Sequence, residues 1–240
     1  MLYWVVDIHH KKTAKLFISS LWSRPAFAES AVKELHLRPA VSPEQGVEIL
    51  WLCQGLQELT LQITPDLPSD QNPLSVPLCA LHWLTSLSMN LASTFYGYPN
   101  MFLPDLPVLH QIECLHLTNT WVAKLGLFIG LQELSQLTHL SFHVRPPGQT
   151  TTHTVVLSMI LELFQKLQVI VLWQMEYQES HDIYNHLKEN NLTNHRIVVF
   201  NAIQFAEFVQ PMNGVWAFAE QVVQWRKDNQ GMELCGESFV

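Results

Sequence analysis

One six-residue pattern constrains this chain more than any other feature. It runs apolar, any, any, apolar, any, apolar, and reads Leu56-Gln57-Glu58-Leu59-Thr60-Leu61 and then Leu84-Thr85-Ser86-Leu87-Ser88-Met89. Further copies run from Val32 to Leu37, Ile112 to Leu117, Leu137 to Phe142 and Leu167 to Leu172. Weaker outer copies run from Tyr3 to Ile8 and from Asn194 to Val199. Isolated matches come cheaply in a chain rich in aliphatic residues, so the spacing carries the argument. First positions fall at 3, 32, 56, 84, 112, 137, 167 and 194, in steps of 29, 24, 28, 28, 25, 30 and 27. Repeats of that length, each with a strand and a helical segment, build leucine-rich-repeat solenoids.

The segments between hexads fit this reading. Ser42-Pro43-Glu44-Gln45 is a capping box with proline at the first helical position. Trp121 to Gln136 and Thr154 to Lys166 read as amphipathic helices, and Tyr177 to Asn190 as a more polar one. The connections at Leu78–Trp83 and Pro104–Leu109 are short and hold prolines nearby, which suits helical turns or 3₁₀ pieces. Pro65 to Pro77, Tyr96 to Pro107 and Arg145 to Thr152 read as loops. Val215, Phe218, Ala219, Val222 and Val223, with Trp216 and Trp225, form a helical apolar face that closes the last repeat.

The expectation is therefore an α/β leucine-rich-repeat-like solenoid, with a parallel concave sheet and helices or turns on the convex side. It is expected as one domain over 1–240: an N-terminal strand and capping helix over 1–31, repeats over 32–200, C-terminal capping helices over 201–228 and a tail over 229–240. The competing architecture is a doubly wound α/β sheet. Strand order separates the two, because a doubly wound sheet has a reversal point and a solenoid has none.

Composition narrows the function. Thirteen Lys and Arg against twenty-one Asp and Glu give a net charge of −8, without the basic stripe that nucleic-acid binding needs. No apolar run approaches the ~20 residues of a membrane span. Cys53, Cys79, Cys114 and Cys235 form no CxxC pair, and the segment after Met1 lacks the form of a secretory leader. Reduced thiols in a soluble, monomeric, cytoplasmic or nuclear protein are expected. Asn191-Leu192-Thr193 matches a glycosylation sequon but carries no chemistry in that setting.

Strand alternation sorts the hexads into core leucines and three outward columns. The first is Val5, Glu34, Glu58, Ser86, Cys114, His139, Val169 and Arg196. The middle one is Asp7, His36, Thr60, Ser88, His116, Ser141, Val171 and Val198. The third is His9, Arg38, Gln62, Asn90, Thr118, His143, Trp173 and Phe200. Cys114, His116, His139 and His143 fall on successive strands, and constitute a candidate zinc-ligand set or Cys–His nucleophile pair. Ordinary polar surface is the preferred reading, since no zinc-ribbon or finger spacing is present. Glu34 and Glu58 read as a solvated acidic patch rather than a glycosidase pair. His9-His10 and the His181/His186 pair read as solvated. The chain has no GxSxG, P-loop, GxGxxG or HExxH motif.

The leading expectation is non-catalytic protein recognition by the concave face, with no metal and no cofactor. The alternative is a Cys/His-based hydrolytic or zinc-dependent enzyme centred on Cys114. Trp173 and Phe200, with Arg196 beside them, are the candidate hot spot, flanked by His116, His139 and His143, with Arg38 on the same face. A second reading folds the segment from Phe205 to Trp225 over Trp173 and Phe200 as a cap, which makes them core.

These hexads, the opening Leu2-Tyr3-Trp4-Val5-Val6-Asp7-Ile8, Thr13-Ala14-Lys15-Leu16-Phe17-Ile18 and Val32-Lys33-Glu34-Leu35-His36-Leu37 resemble the leucine-rich-repeat region of fungal F-box-type proteins. The resemblance spans most of the chain. It implies the substrate-receptor part of a ubiquitin-ligase component, binding an unidentified protein ligand. The F-box itself is expected upstream and is missing; the only comparable string, Leu106-Pro107-Val108-Leu109, lies mid-array. A Skp-type adaptor is thus a partner only if an F-box precedes this region.

Overall fold

In the computed structural model, residues 4–63, 73–90, 106–120, 131–144, 150–174, 183–201 and 212–229 are described. Eight strands, β1 (Val5–Ile8), β2 (Glu34–Leu37), β3 (Glu58–Leu61), β4 (Ser86–Met89), β5 (Cys114–Thr120), β6 (His139–Val144), β7 (Val169–Gln174) and β8 (Ile197–Asn201), coincide with the eight hexads. Their order in the sheet is their order in the sequence. An all-parallel sheet of sequential strand–helix units is consistent with a leucine-rich-repeat-like solenoid and has no reversal point.

The chain divides into two compact units. The first comprises the described residues of Met1–Asn119 and Gly126–Leu137, the second those of Thr120–Leu125 and Thr138–Val240.

In the first unit, the pairing of β1 to β5 follows the hexads, with Val5 opposite Glu34, Glu34 opposite Glu58, Glu58 opposite Ser86 and Ser86 opposite Cys114. The peptide before each strand repeats one device. The carbonyls of Trp4, Lys33, Gln57 and Thr85 each accept two successive amides from the following repeat. Leu35, Leu37, Leu59, Leu61, Leu87, Met89, Leu115 and Leu117 are buried on the other face. Each such side chain contributes about 1.5–3 kcal/mol relative to exposure.

Helix α1 (Lys11–Trp22) buries Ala14, Phe17, Ile18 and Leu21 at helical spacing and packs against α2 (Pro25–Ala31) and α3 (Pro43–Leu52). The region before the first full repeat thus holds two helices rather than one. Pro25 explains the division, because proline starts a helix readily but cannot continue one. The capping box of α3 is present: Ser42 Oγ accepts from the Gln45 amide and Gln45 Oε1 accepts from the Ser42 amide, both at 3.3 Å. Gly55 permits a close approach that no other residue would, since a Cβ there would lie 2.0 Å from the Glu29 carbonyl oxygen.

Two short connections behave as expected, with α4 (Ser75–Cys79) and a 3₁₀ turn at Pro107–Gln111. The expected loop to Pro77 is corrected at its end, where Ser75 to Pro77 open α4. Pro77 fits because the first-turn amides of a helix lack intrahelical acceptors anyway. Of the helix expected over Trp121–Gln136, residues 121–130 lie outside the described residues, and Leu131–Glu133 form a 3₁₀ turn.

In the second unit, β6 pairs with β7 and β7 with β8 in the expected register, with His143 opposite Trp173 and Trp173 opposite Phe200. Helix α5 (Thr150–Leu163) starts inside the expected loop, taking in Thr150 to Thr152. Helix α6 (Ile183–Glu189) ends before Asn191, whose φ of 54° is the left-handed conformation common after a helix C-terminus. The closing helix, α7 (Met212–Asp228), packs against β7 and β8. Cys235 and the expected tail after Asn229 lie outside the described residues.

Candidate functional site

The outward face differs between the two units. In the first, Asp7 and Arg38 form a two-pronged ion pair, with Nε on Oδ1 at 2.9 Å and Nη2 on Oδ2 at 2.7 Å. The guanidinium holds the Asp7 carboxyl below its ordinary range, and the same bond raises Arg38. His9 Nε2 lies 3.3 Å from Asp7 Oδ2. On the next strand, His36 Nε2 stands 2.9 Å from Glu34 Oε1, and both side chains are largely buried. The solvated acidic patch expected at Glu34 and Glu58 is corrected at Glu34, which is buried and paired with the His36 imidazole because a buried carboxylate needs a partner. Val5, Asp7 and His9 are exposed, while Glu58, Gln62, Ser86, Asn90, Cys114 and Thr118 are half-buried along the flanking columns. Arg38 stands on this face as expected, with its charge directed at Asp7.

Cys114 is half-buried and His116 buried on β5 of the first unit. His139 and His143 belong to β6 of the second. Among the described residues, no group of three or more His, Cys, Asp or Glu is placed to hold a metal ion. Cys53, Cys79 and Cys114 are not in disulfides, and burial pushes the Cys53 thiol up to about 12.

In the second unit the outward face lies beneath α7. His139 Nδ1 is 2.8 Å from Thr138 Oγ1, its Nε2 is 3.1 Å from Glu220 Oε1, and the Trp216 ring stands edge-on at 5.4 Å. His143, Trp173 and Phe200 form a ladder of rings, with centroids 6.3 and 5.4 Å apart, and Phe218 of α7 follows at 5.7 Å from Phe200. Burial pushes the His143 imidazole below its ordinary value. Trp173 is 9% exposed and Phe200 4%.

Of the expected cap, residues 205–211 lie outside the described residues, whereas the part from Met212 to Trp225 lies over this face, so the open hot spot at Trp173 and Phe200 is corrected. Desolvation favours the covered arrangement, because uncapped, these rings and Val169, Val171 and Val198 would present a large apolar patch to water. Arg196 is also reassigned. Its guanidinium donates to the carbonyls of Phe164 and Leu167 at 3.1 Å and of Leu161 at 3.2 Å, while Nε reaches Asn194 Oδ1 at 3.2 Å. It closes the C-terminal end of α5, where orphan carbonyls favour a cation.

His9 and His10 are exposed neighbours, and His186 is engaged by Asn190; His181 lies outside the described residues. Sequence reasoning missed the Asp7–Arg38 pair, the Glu34–His36 pair and the Glu220 tie to His139. The first two were visible as near neighbours in the columns, whereas Glu220 carried no signal.

These features define an α/β protein of parallel, leucine-rich-repeat-like architecture. No helix among the described residues is long and apolar enough to cross a membrane. No family model, curated protein or solved structure matches the chain.

Proposed function

We propose that this protein is a non-catalytic protein-recognition module that binds its ligand on the outward face of β1–β5. The observation that supports it is the ordered polar surface built around Asp7 and Arg38, flanked by exposed Val5 and His9 and by half-buried Glu58, Gln62, Ser86 and Asn90. Stacked parallel strands offer such a surface from rigid elements, the usual binding mode of repeat proteins. The resemblance to the repeat region of fungal F-box-type proteins favours a substrate-receptor role in a ubiquitin ligase. A Skp-type adaptor belongs to that role only where an F-box accompanies the repeats.

Quantitative affinity capture with three forms of the chain tests the reading. Wild type and a control Val76→Arg, altered at an exposed position on α4, should retain the same protein. Gln62→Arg, altered on the proposed face, should lose it. Equal capture by all three forms overturns the assignment of this face.

A further inference from the structure

Helix α7 lies on the second unit as a bound peptide helix lies in a groove. Its buried residues, Val215, Trp216, Ala219, Val222 and Val223, recur on one face at i, i+1, i+4, i+7 and i+8. Ala217, Glu220, Gln221, Gln224 and Lys227 are exposed. Two polar ties accompany the apolar contact. Glu220 meets His139, and Arg226 donates to the Ile197 carbonyl.

The sheet surface beneath is assembled by the strands themselves. The Trp173 indole donates to Ser141 Oγ at 2.7 Å, so its one polar group is satisfied without α7. The His143–Trp173–Phe200 ladder follows directly from the pairing of β6, β7 and β8. A preformed aromatic surface whose Trp173 donor is met by its own strands, and whose His139 takes a carboxylate from the helix above, has the anchors that a helix interface uses.

We propose that the outward face of β6–β8 is a helix-recognition surface, and that α7 is its intramolecular occupant. The partner is an amphipathic helix of another protein that carries the pattern of α7. It places apolar residues at i, i+1, i+4, i+7 and i+8, a carboxylate at i+5 for His139 and a guanidinium at i+11 for the Ile197 carbonyl. α7 competes with that helix, so the intact chain binds with its intrinsic affinity reduced by the fraction of molecules in which α7 has withdrawn. This inference is independent of the face on β1–β5.

The test uses the full chain and a fluorescent peptide copying residues 212–228. Val222→Asp weakens α7 in its own chain and leaves the sheet surface unchanged. The peptide should bind this variant at least about tenfold more tightly than wild type, and adding Phe200→Asp should abolish the binding. In wild type, hydrogen exchange should show α7 amides opening at least about tenfold faster than those of β6–β8. Exchange of α7 and the strands as one unit would overturn the proposal, and this measurement decides alone if Val222→Asp does not fold. Peptide binding unaffected by Val222→Asp would also overturn it. So would a wild-type dimer with exchanged α7 helices, seen by light scattering and cross-linking, because the occupant would then be a second copy.

Discussion

The indole nitrogen of Trp173 donates a 2.7 Å hydrogen bond to the Ser141 hydroxyl on the neighbouring strand. Tryptophan has one donor and no acceptor, so this contact satisfies the side chain fully and lets its ring be buried. Trp173→Ala should therefore destabilise the protein by about 3–5 kcal/mol, as expected for truncating a buried aromatic. Ser141→Ala should cost about 1–3 kcal/mol by leaving the indole donor unsatisfied. Urea unfolding of both variants checks the order; a Trp173→Ala protein as stable as wild type would refute the burial.

Arg196 holds three carbonyls at the end of α5 with one planar fork. Lysine has no such fork, so Arg196→Lys should not restore what Arg196→Ala loses. Either change should cost at least about 1.5–3 kcal/mol, the worth of a charge-assisted hydrogen bond. Chemical denaturation measures the loss, and hydrogen exchange at residues 161–167 should locate it.

Gly55 leaves no room for a methyl group against the Glu29 carbonyl. Gly55→Ala should lower stability by about 1–3 kcal/mol through forced backbone displacement. A thermal melt checks this, with Ala217→Gly at an exposed site as a milder comparison, at roughly 1 kcal/mol from helix propensity.

The Asp7 carboxyl is held below its ordinary range chiefly by its hydrogen bonds to Arg38, with burial opposing the shift. A carboxyl that is more acidic folded than unfolded stabilises the protein above its unfolded pKa, about 3.9. That stability is lost as pH falls through the lower folded value. Asp7→Asn should therefore be less stable than wild type near neutrality, by under about 1 kcal/mol because the pair is partly solvated. The difference should shrink below about pH 4. Unfolding free energies measured from pH 7 to pH 2.5 give the test.

Burial raises the Cys53 thiol to about 12, so almost no thiolate exists there at pH 8. Cys53 should resist a thiol-directed reagent in the native state and react on unfolding. Cys79 and Cys114, half-buried, should label faster. Peptide mass spectrometry after timed labelling distinguishes the three.

Much of this architecture was legible because it is periodic. The hexad at Leu56–Leu61 sets both the register of β3 and the split between buried Leu59 and outward Glu58, and the same register runs from β1 to β5 and from β6 to β8. Ser42 and Pro43 marked the start of α3 because capping is a local exchange of hydrogen bonds. Less regular segments were harder to place. Pro77 read as loop because proline breaks helices in general, yet it costs little in a first turn. Arg196 read as an outward anchor because register assigns a position to a column without showing where a long side chain goes.

Sequence alone determined the strand–helix alternation and which strand residues share a face, because hydrophobic periodicity and caps act over a few residues. Only the tertiary structure decided that α7 covers Trp173 and Phe200, that Glu220 meets His139 and that Arg196 turns to the end of α5. Those outcomes join groups 18 to 81 residues apart. Their physical cause is the desolvation of particular side chains against particular neighbours, which no local pattern encodes.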